Sequence, residues 1–359
     1  MFSREELVCL WFDYNDYSFS KLERILRNFN SIEDVFNKNL LKNAVFDTDL
    51  LDIKVKLLTM DEIAFTKQIE DEFYKHGISA VTYVSKQYPE KLKVISDPPL
   101  VLYTKGDVSL LNKKSISIVG TRTPSEYGKL VCEKFTKELS QAGLVTISGL
   151  AFGIDTIVAT STLEVSGKTI AVLGGGLDSI YPASNTNLAK KIEQNGLLVS
   201  EYRIGIKPVS YSFVNRNRIV SALGLGTLII EAGKKSGTMT TARFAIEQSR
   251  ELFVVPGNIF SKTSEGTNNL IDELPDTFTI STDRILTRLK IKRKAAPKSS
   301  VQVGFEDNSI LNALADGEKS FDELAEASGL SSANLSSELI KMEMFGLIKI
   351  GDDGFYYKK

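Results

Sequence analysis

The sequence contains a single histidine, His76, in 359 residues. Histidine is the usual general base near neutral pH and a frequent zinc ligand. Its scarcity excludes a multi-histidine metal site, and a Ser-His-Asp arrangement would have His76 as its one candidate histidine. Because His76 precedes Gly77, we predict that it lies at the end of a helix and contributes to the cap. Catalysis by carboxylates or lysines stays open.

Cysteines and long apolar runs are scarce as well. Cys9 and Cys132 are the only two cysteines, and they are too far apart in the sequence to form a metal cluster by themselves. We interpret them as buried thiols in a reducing compartment. No apolar run approaches the roughly 20 residues that cross a bilayer, and the chain turns acidic at Glu5 and Glu6 without a signal-like apolar segment. We predict a cytoplasmic protein without a membrane partner.

The net charge is −1, but charge is distributed unevenly along the chain. Residues 1–110 carry 14 basic and 18 acidic side chains, a net of −4. Residues 111–281 carry 18 and 15, a net of +3, and residues 282–300 carry seven and one, a net of +6. Residues 301–359 carry five and eleven, a net of −6. We therefore expect a polyanion to bind the middle of the chain or the basic stretch after it.

Periodicity and composition divide the chain into four segments. Residues 1–75 predict a small helical domain of the SAM or helix-hairpin-helix type, in which Ser31 and Asp34 are suited to cap a helix. Residues 76–281 predict an α/β core, and residues 282–304 a basic linker. The linker is interpreted as a flexible tether, with an auxiliary phosphate contact as the alternative. Residues 305–359 predict three helices, a strand, a turn and a strand, which is the order of a winged helix.

The predicted winged-helix-like domain is acidic. Its net charge is −6, and its third helix carries one lysine, Lys341. A helix that enters the major groove of a duplex needs positive charge. We therefore favour a protein-interaction role for this domain and keep duplex binding as the alternative.

In the core, short apolar runs alternate with amphipathic stretches. The predicted strands are residues 116–120, 144–149, 169–174, 197–201, 226–231 and 251–256, and the helices between them include residues 126–141, 185–195 and 240–249. Continuous apolar strands that alternate with helices are typical of a parallel sheet covered on both faces. We predict an α/β, extended Rossmann-like, doubly wound and mainly parallel sheet. Right-handed crossovers then bring the carboxyl ends of the strands to one edge, where such folds bind ligands.

Small and cationic residues follow several of the predicted strands. Two loops can cradle an anion with amides, hydroxyls or a forked cation: Gly120, Thr121 and Arg122 after the first strand, and Ser236, Gly237 and Thr238 before a helix that starts near Thr240. After the second strand, Asp155 is predicted to be a helix N-cap. Lys168, before the third strand, is either a phosphate contact or a solvated lysine. Neither G-x-G-x-x-G nor a P-loop is present, so these separate anion sites suit a polymer of phosphates better than one pyrophosphate.

A polar cluster, Asn215, Arg216 and Arg218, precedes a predicted apolar helix. Guanidinium groups bind phosphate bidentately and stack on bases. The cluster therefore predicts a further contact with a phosphate polymer. The alternative is that one of the arginines pairs with an acidic neighbour such as Glu201 or Glu231.

At these positions the chain resembles the DprA/Smf family of bacterial DNA-processing proteins. The matching motifs are Y-P at 88–89, D-P-P at 97–99, V-G-T-R at 119–122, S-G-L-A-F-G-I-D at 148–155, L-G-G-G-L-D at 173–178, R-N-R at 216–218, S-G-T at 236–238 and G-T-N at 266–268. Each motif is weak alone. Their shared order and spacing make the resemblance specific.

The resemblance implies an extended Rossmann fold that binds single-stranded DNA without hydrolysing it, with a helical amino-terminal and a winged-helix carboxyl-terminal attachment. Members form homodimers, protect incoming strands during natural transformation and help load the RecA recombinase. We expect no cofactor and no metal ion. By resemblance and charge, the predicted DNA site consists of Gly120, Thr121, Arg122, Lys168, Asn215, Arg216, Arg218, Ser236, Gly237 and Thr238.

The leading hypothesis is a non-enzymatic protein that binds single-stranded DNA. The alternative is a nucleotide-processing enzyme of a related Rossmann-like family, in which Asp155, Asp178 or Glu231 would act as acid, base or nucleophile. A third hypothesis is a regulator that binds duplex DNA through the carboxyl-terminal domain.

Overall fold

The computed structural model describes residues 2–292, 309–344, 347–351 and 354–358. The chain divides into two compact units, residues 1–294 and residues 295–359. Residues 293–304 of the predicted linker and residues 352–353 of the predicted carboxyl-terminal turn lie outside the described residues. The finer boundaries at residues 75 and 281 stay predictions.

Five helices begin the first unit. They are α1 (Arg4–Tyr14), α2 (Phe19–Leu26), α3 (Lys38–Asn43), α4 (Leu51–Thr59) and α5 (Glu62–His76). α5 ends at the predicted position, because Gly77 adopts a left-handed φ of 59° that terminates the helix. Ser31 and Asp34 cap a short 3₁₀ turn, in which the Asp34 carboxylate accepts the Ser31 amide at 3.1 Å. The helices bury apolar side chains such as Leu22 and Ile25 in one cluster with residues of the sheet.

An eight-stranded sheet forms the centre of the first unit. Its strands are β1 (Ser79–Thr82), β2 (Val101–Gly106), β3 (Ser115–Val119), β4 (Val145–Ser148), β5 (Thr169–Leu173), β6 (Leu197–Ser200), β7 (Gly226–Ile229) and β8 (Glu251–Val254). Their order is β1-β2-β6-β5-β4-β3-β7-β8. β3 to β8 pair in parallel, whereas β1 and β2 are antiparallel additions at one edge. The predicted mainly parallel, Rossmann-like sheet is confirmed.

Helices cover both faces of this sheet. They are α6 (Glu90–Lys93), α7 (Glu126–Gln141), α8 (Ile154–Glu164), α9 (Thr186–Asn195), α10 (Ser210–Leu223), α11 (Gly237–Glu247), α12 (Glu265–Glu273) and α13 (Thr282–Arg288). Neighbouring strand residues face opposite sides: Ile118 packs in one apolar cluster and Val119 in another. The sheet is therefore doubly wound, as predicted. Two predicted helix starts are wrong, since Arg216 and Arg218 lie inside α10, and α11 begins at Gly237 rather than near Thr240.

The second unit contains α14 (Ser309–Ala313), α15 (Phe321–Ser328), α16 (Ser332–Met344) and a hairpin of β9 (Ile348–Ile350) and β10 (Tyr356–Lys358). The predicted capping box at the start of α15 is present, because the Glu323 carboxylate accepts the Ser320 amide at 2.7 Å. The unit buries its own apolar cluster, which includes Leu324 and Leu339. The winged-helix prediction is confirmed. The Lys341 side chain lies outside the described part of the unit.

Cys9 and Cys132 are both buried and unpaired, as predicted. Among the described residues, no helix is both long and apolar enough to cross a membrane. Within the same ranges, no three His, Cys, Asp or Glu side chains are grouped so that they could hold a metal ion.

Candidate functional site

A pocket of about 590 Å³ lies at the carboxyl ends of β3 and β7. The strand order changes direction here, because β4 lies on one side of β3 and β7 on the other. Open α/β sheets bind ligands at this crevice. We call the cavity the switch-point pocket. It is lined by Val119, Gly120, Thr121, Arg122, Ala151, Asp155, Tyr181, Ser210, Phe213, Val214, Arg216, Asn217, Ser236, Gly237, Thr238 and Thr241.

The loop after β3 presents Arg122 at the pocket. The Thr121 amide donates to the Glu231 carbonyl at 2.8 Å, which ties this loop to the end of β7. Arg122 is exposed, and its guanidinium carbon lies 5.7 Å from the centre of the Phe213 ring. None of the ion pairs within the described ranges involves Arg122. The pocket therefore has an exposed forked cation held over an aromatic ring.

Arg216 lies in the wall of the same pocket and is only 4% exposed. Its guanidinium donates to the Val172 carbonyl, and its Nε has no hydrogen-bond partner among the described atoms. Burial lowers the pKa of Arg216, and the nearby Asp155 partly offsets this shift. Arg216 is therefore a buried cation with an unused donor at the pocket.

The carboxylate of Asp155 lies near Arg216 and partly compensates its positive charge. The same carboxylate accepts the amides of Gly149 at 3.0 Å and Ala151 at 3.3 Å. Burial raises the pKa of Asp155, whereas the charge of Arg216 and the two amides lower it. The N-cap prediction for Asp155 is wrong, because α8 begins at Ile154, and Gly153, two residues before Asp155, is the N-cap. Asp155 instead holds the loop between β4 and α8 in place.

The start of α11 forms the opposite wall. Ser236, Gly237 and Thr238 line the pocket, and Ser236 is the N-cap of α11 without a side-chain cap bond. The Ser236 Oγ is buried and has no partner among the described atoms. Amide groups at the first turn of a helix attract anions. Ser236 and the amino terminus of α11 therefore line the same cavity as Arg122.

Three of the ten predicted site residues do not line this pocket. Arg218 forms a two-pronged ion pair with Glu201, with both N–O distances at 2.8 Å, and its Nε donates to the Asp97 carbonyl at 3.1 Å. The alternative of an arginine paired with Glu201 thus applies to Arg218. Asn215 is on α10 outside the lining, and Lys168 lies at the amino end of β5, at the opposite edge of the sheet. The other seven lie together at the pocket.

The sequence reasoning missed two aromatic residues of the pocket. Tyr181 is 46% exposed, and its ring centre lies 5.3 Å from that of Phe213 at an angle of 47°. Phe213 precedes Arg216 by three residues on α10, so the two share a helix face. This three-residue spacing from Arg216 is the feature of the sequence that could have identified Phe213. Aromatic faces of this kind stack on nucleic-acid bases.

The candidate acid–base residues of the enzyme hypothesis are engaged in hydrogen bonds that hold loops. Glu231 is 2% exposed and accepts the Ser125 amide at 2.9 Å, the Ser125 hydroxyl at 2.6 Å and the Thr263 hydroxyl at 3.2 Å. Asp178 accepts the Gly205 amide at 3.1 Å. Glu231 and Asp178 do not line the switch-point pocket.

Gly153 is required by the shape of the site. Its φ is +73°, and a Cβ at this position would lie 2.5 Å from the carbonyl oxygens of Thr121 and Arg122. Gly153→Ala should lower the free energy of unfolding by at least about 2 kcal/mol, since backbone atoms cannot move aside cheaply. Urea unfolding measures the change. Gly237→Ala is the control for stability, because no described atom lies within 4 Å of the added Cβ. Equal stability of the two variants would contradict the prediction.

Comparisons with known proteins follow the same division of the chain. The family model of DNA recombination-mediator protein A matches residues 79–290, and that of the DprA winged helix domain matches residues 294–354. The DNA processing protein DprA of Bacillus subtilis is 43% identical over 202 residues, which cover 56% of this chain and 68% of the relative.

Two solved structures are similar to the chain. The structure of DNA processing protein A from Streptococcus pneumoniae has a TM-score of 0.60 and 31% identity, and the match covers 77% of this chain and 97% of that one. The structure of the Helicobacter pylori protein, which concerns its single-stranded DNA binding mode, has a TM-score of 0.54 and 34% identity. That match covers 59% of this chain and 95% of that one.

Proposed function

Because the chain belongs to the DNA recombination-mediator protein A family, also called DprA/Smf, we propose that it binds single-stranded DNA in the switch-point pocket without hydrolysing it. One observation carries this proposal. An exposed Arg122, which has no ion-pair partner among the described residues, lies over Phe213 at a pocket where Arg216 and Ser236 each have a polar atom without a described partner. A DNA phosphate supplies the acceptor that the exposed Arg122 guanidinium lacks among the described residues.

The pocket supplies the two interactions that a single strand needs. Arg122 and the first turn of α11 bind a backbone phosphate, while Phe213 and Tyr181 stack on a base. Neither interaction reads the base edges, so binding is largely independent of sequence. The proposed contacts are Gly120, Thr121, Arg122, Arg216, Ser236, Gly237 and Thr238, with Tyr181 and Phe213 added.

We extend the proposal to the role implied by the family. The protein would protect incoming strands in the cytoplasm, form a homodimer and load the RecA recombinase during natural transformation or recombination. Family membership supports this part of the proposal. The acidic charge of residues 301–359 supports a protein partner for the winged-helix unit better than a duplex.

Fluorescence anisotropy with matched single- and double-stranded oligonucleotides tests the proposal. We expect tight binding of the single strand and weak binding of the duplex. The logarithm of affinity for the single strand should fall with the logarithm of salt concentration, with a slope of roughly −0.7 per phosphate contact. Equal affinity for both DNA forms would contradict the proposal.

The same preparation distinguishes the enzyme hypothesis. We expect no turnover when mononucleotides are incubated with the protein, because the carboxylates of Asp155, Asp178 and Glu231 already accept hydrogen bonds from loops. Turnover that is lost in Glu231→Gln or Asp155→Asn would support a nucleotide-processing enzyme instead.

A further inference from the structure

A second cavity, of about 790 Å³, lies between α8 and α9. Each of these helices follows a parallel strand and leads to the next, so both run from the carboxyl edge of the sheet to its amino edge. We call this cavity the α8–α9 groove. It is lined by Thr156, Thr160, Leu163, Glu164, Ser166, Gly167, Lys168, Asn185, Asn187, Leu188, Lys191 and Asn195.

The lining of the groove suits a phosphate backbone. Thr160, Ser166 and Asn187 provide hydroxyl and amide groups in the lining, whereas the side chains of Thr156 and Asn185 already donate within the protein. Lys168, which precedes β5, and Lys191, in the middle of α9, are exposed. None of the ion pairs in the described ranges involves either lysine. The acidic residue of the lining, Glu164, is paired with Lys137 at 3.0 Å. The two lysines among the described lining residues outnumber the one carboxylate, so the groove carries a net positive charge.

The groove begins next to the switch-point pocket. Ala151 lines the pocket, and its carbonyl accepts the hydroxyl of Thr156, which lines the groove, at 2.7 Å. Asn185, also in the groove, donates to Thr156 at 2.9 Å and to the Leu150 carbonyl at 3.0 Å. Phe152 lies on the loop that separates the two cavities and is 46% exposed. A strand that leaves the pocket over this loop reaches the groove directly.

We propose that single-stranded DNA held in the switch-point pocket continues along the α8–α9 groove, where Lys168 and Lys191 bind its backbone phosphates. This inference rests on the proposed function of the pocket. α8 has 11 residues, a length of about 16 Å, which corresponds to roughly five stacked nucleotides at 3.4 Å each. Lys168 thus belongs to the DNA site as a distant contact and not as a member of the pocket.

Oligonucleotide length separates the two parts of the path. Anisotropy is measured with oligonucleotides of about 5 and about 20 nucleotides, a range that brackets the roughly 4–16 nucleotides held by single-strand sites of OB folds. The test variant is Lys168→Ala/Lys191→Ala. The control variant is Lys114→Ala/Lys190→Ala: Lys114 directly precedes β3 as Lys168 precedes β5, and Lys190 is the α9 neighbour of Lys191 outside the groove.

We expect the test variant to bind the long oligonucleotide about tenfold more weakly, with the salt slope reduced in magnitude by about 1.4, and to bind the short one normally. The control should match the unmodified protein at both lengths. An unchanged test variant, or one weakened equally at both lengths, would overturn the inference. If the unmodified protein binds neither oligonucleotide, the proposed function itself fails.

Cross-linking provides an independent measurement. Cys9 and Cys132 are buried, so a cysteine introduced at the exposed Thr160 in the groove reacts selectively. Thr160→Cys should cross-link to a long oligonucleotide that carries a thiol-reactive group, whereas Lys190→Cys should not. Equal cross-linking at both positions would contradict a defined path.

Discussion

Replacing Arg122 by alanine should lower the affinity for single-stranded DNA by at least about tenfold and leave the free energy of unfolding nearly unchanged. A hydrogen bond to a charged group contributes about 1.5–3 kcal/mol, which corresponds to roughly 10- to 150-fold in affinity. Arg122 is exposed and has no acidic partner in the described ion pairs, so its loss leaves no buried charge behind. Anisotropy measures the affinity, and urea unfolding measures the stability.

Two further variants test how Arg122 acts. Arg122→Lys should recover only part of the affinity, because an ammonium keeps the charge but loses the fork and the stacking on Phe213. Arg27→Ala is the control for loss of one exposed arginine, since Arg27 directly follows α2 and does not line the pocket. If Arg27→Ala weakens binding as much as Arg122→Ala, overall charge rather than the pocket determines the affinity.

Replacing Arg218 by alanine should have the opposite effect to replacing Arg122, because it should mainly reduce stability. We expect the free energy of unfolding to fall by about 3–5 kcal/mol. The Arg218 side chain is 12% exposed and its partner Glu201 is 15% exposed. Burial lowers the pKa of Arg218, but the pairing with Glu201 more than compensates and the net shift is upward. Removing the guanidinium leaves the Glu201 carboxylate without its partner in a largely buried position. Urea unfolding followed by circular dichroism measures the loss.

A double-variant cycle isolates the pair. Arg218→Met/Glu201→Met removes both charges, so it should be more stable than Arg218→Ala despite the additional substitution. Affinity for single-stranded DNA should stay close to that of the unmodified protein in this double variant. Normal stability of Arg218→Ala together with a loss of DNA affinity would place Arg218 in the DNA site beside Arg122.

The two arginines show where sequence reasoning reached its limit. Arg216 and Arg218 lie in one R-N-R motif, and the motif cannot show which face of α10 each residue occupies. Residues two positions apart in a helix, such as Arg216 and Arg218, are separated by about 200° around its axis. The tertiary structure therefore directs Arg216 into the pocket wall and Arg218 towards Glu201.

The sequence by itself determined the six parallel strands of the core, its Rossmann-like architecture, the winged helix and the family, but not the antiparallel strands β1 and β2. These follow from local periodicity and from motifs whose spacing is read along the chain. It also placed Arg122 and the Ser236–Thr238 loop at the same edge of the sheet, because parallel strands bring their carboxyl ends to one edge. Tertiary structure alone decided that Tyr181 and Phe213 join them, that Asp155 holds its loop, and that Lys168 lies at the far end of a groove. Such contacts join residues remote in sequence, and only packing of the helices on the sheet decides which side chains meet.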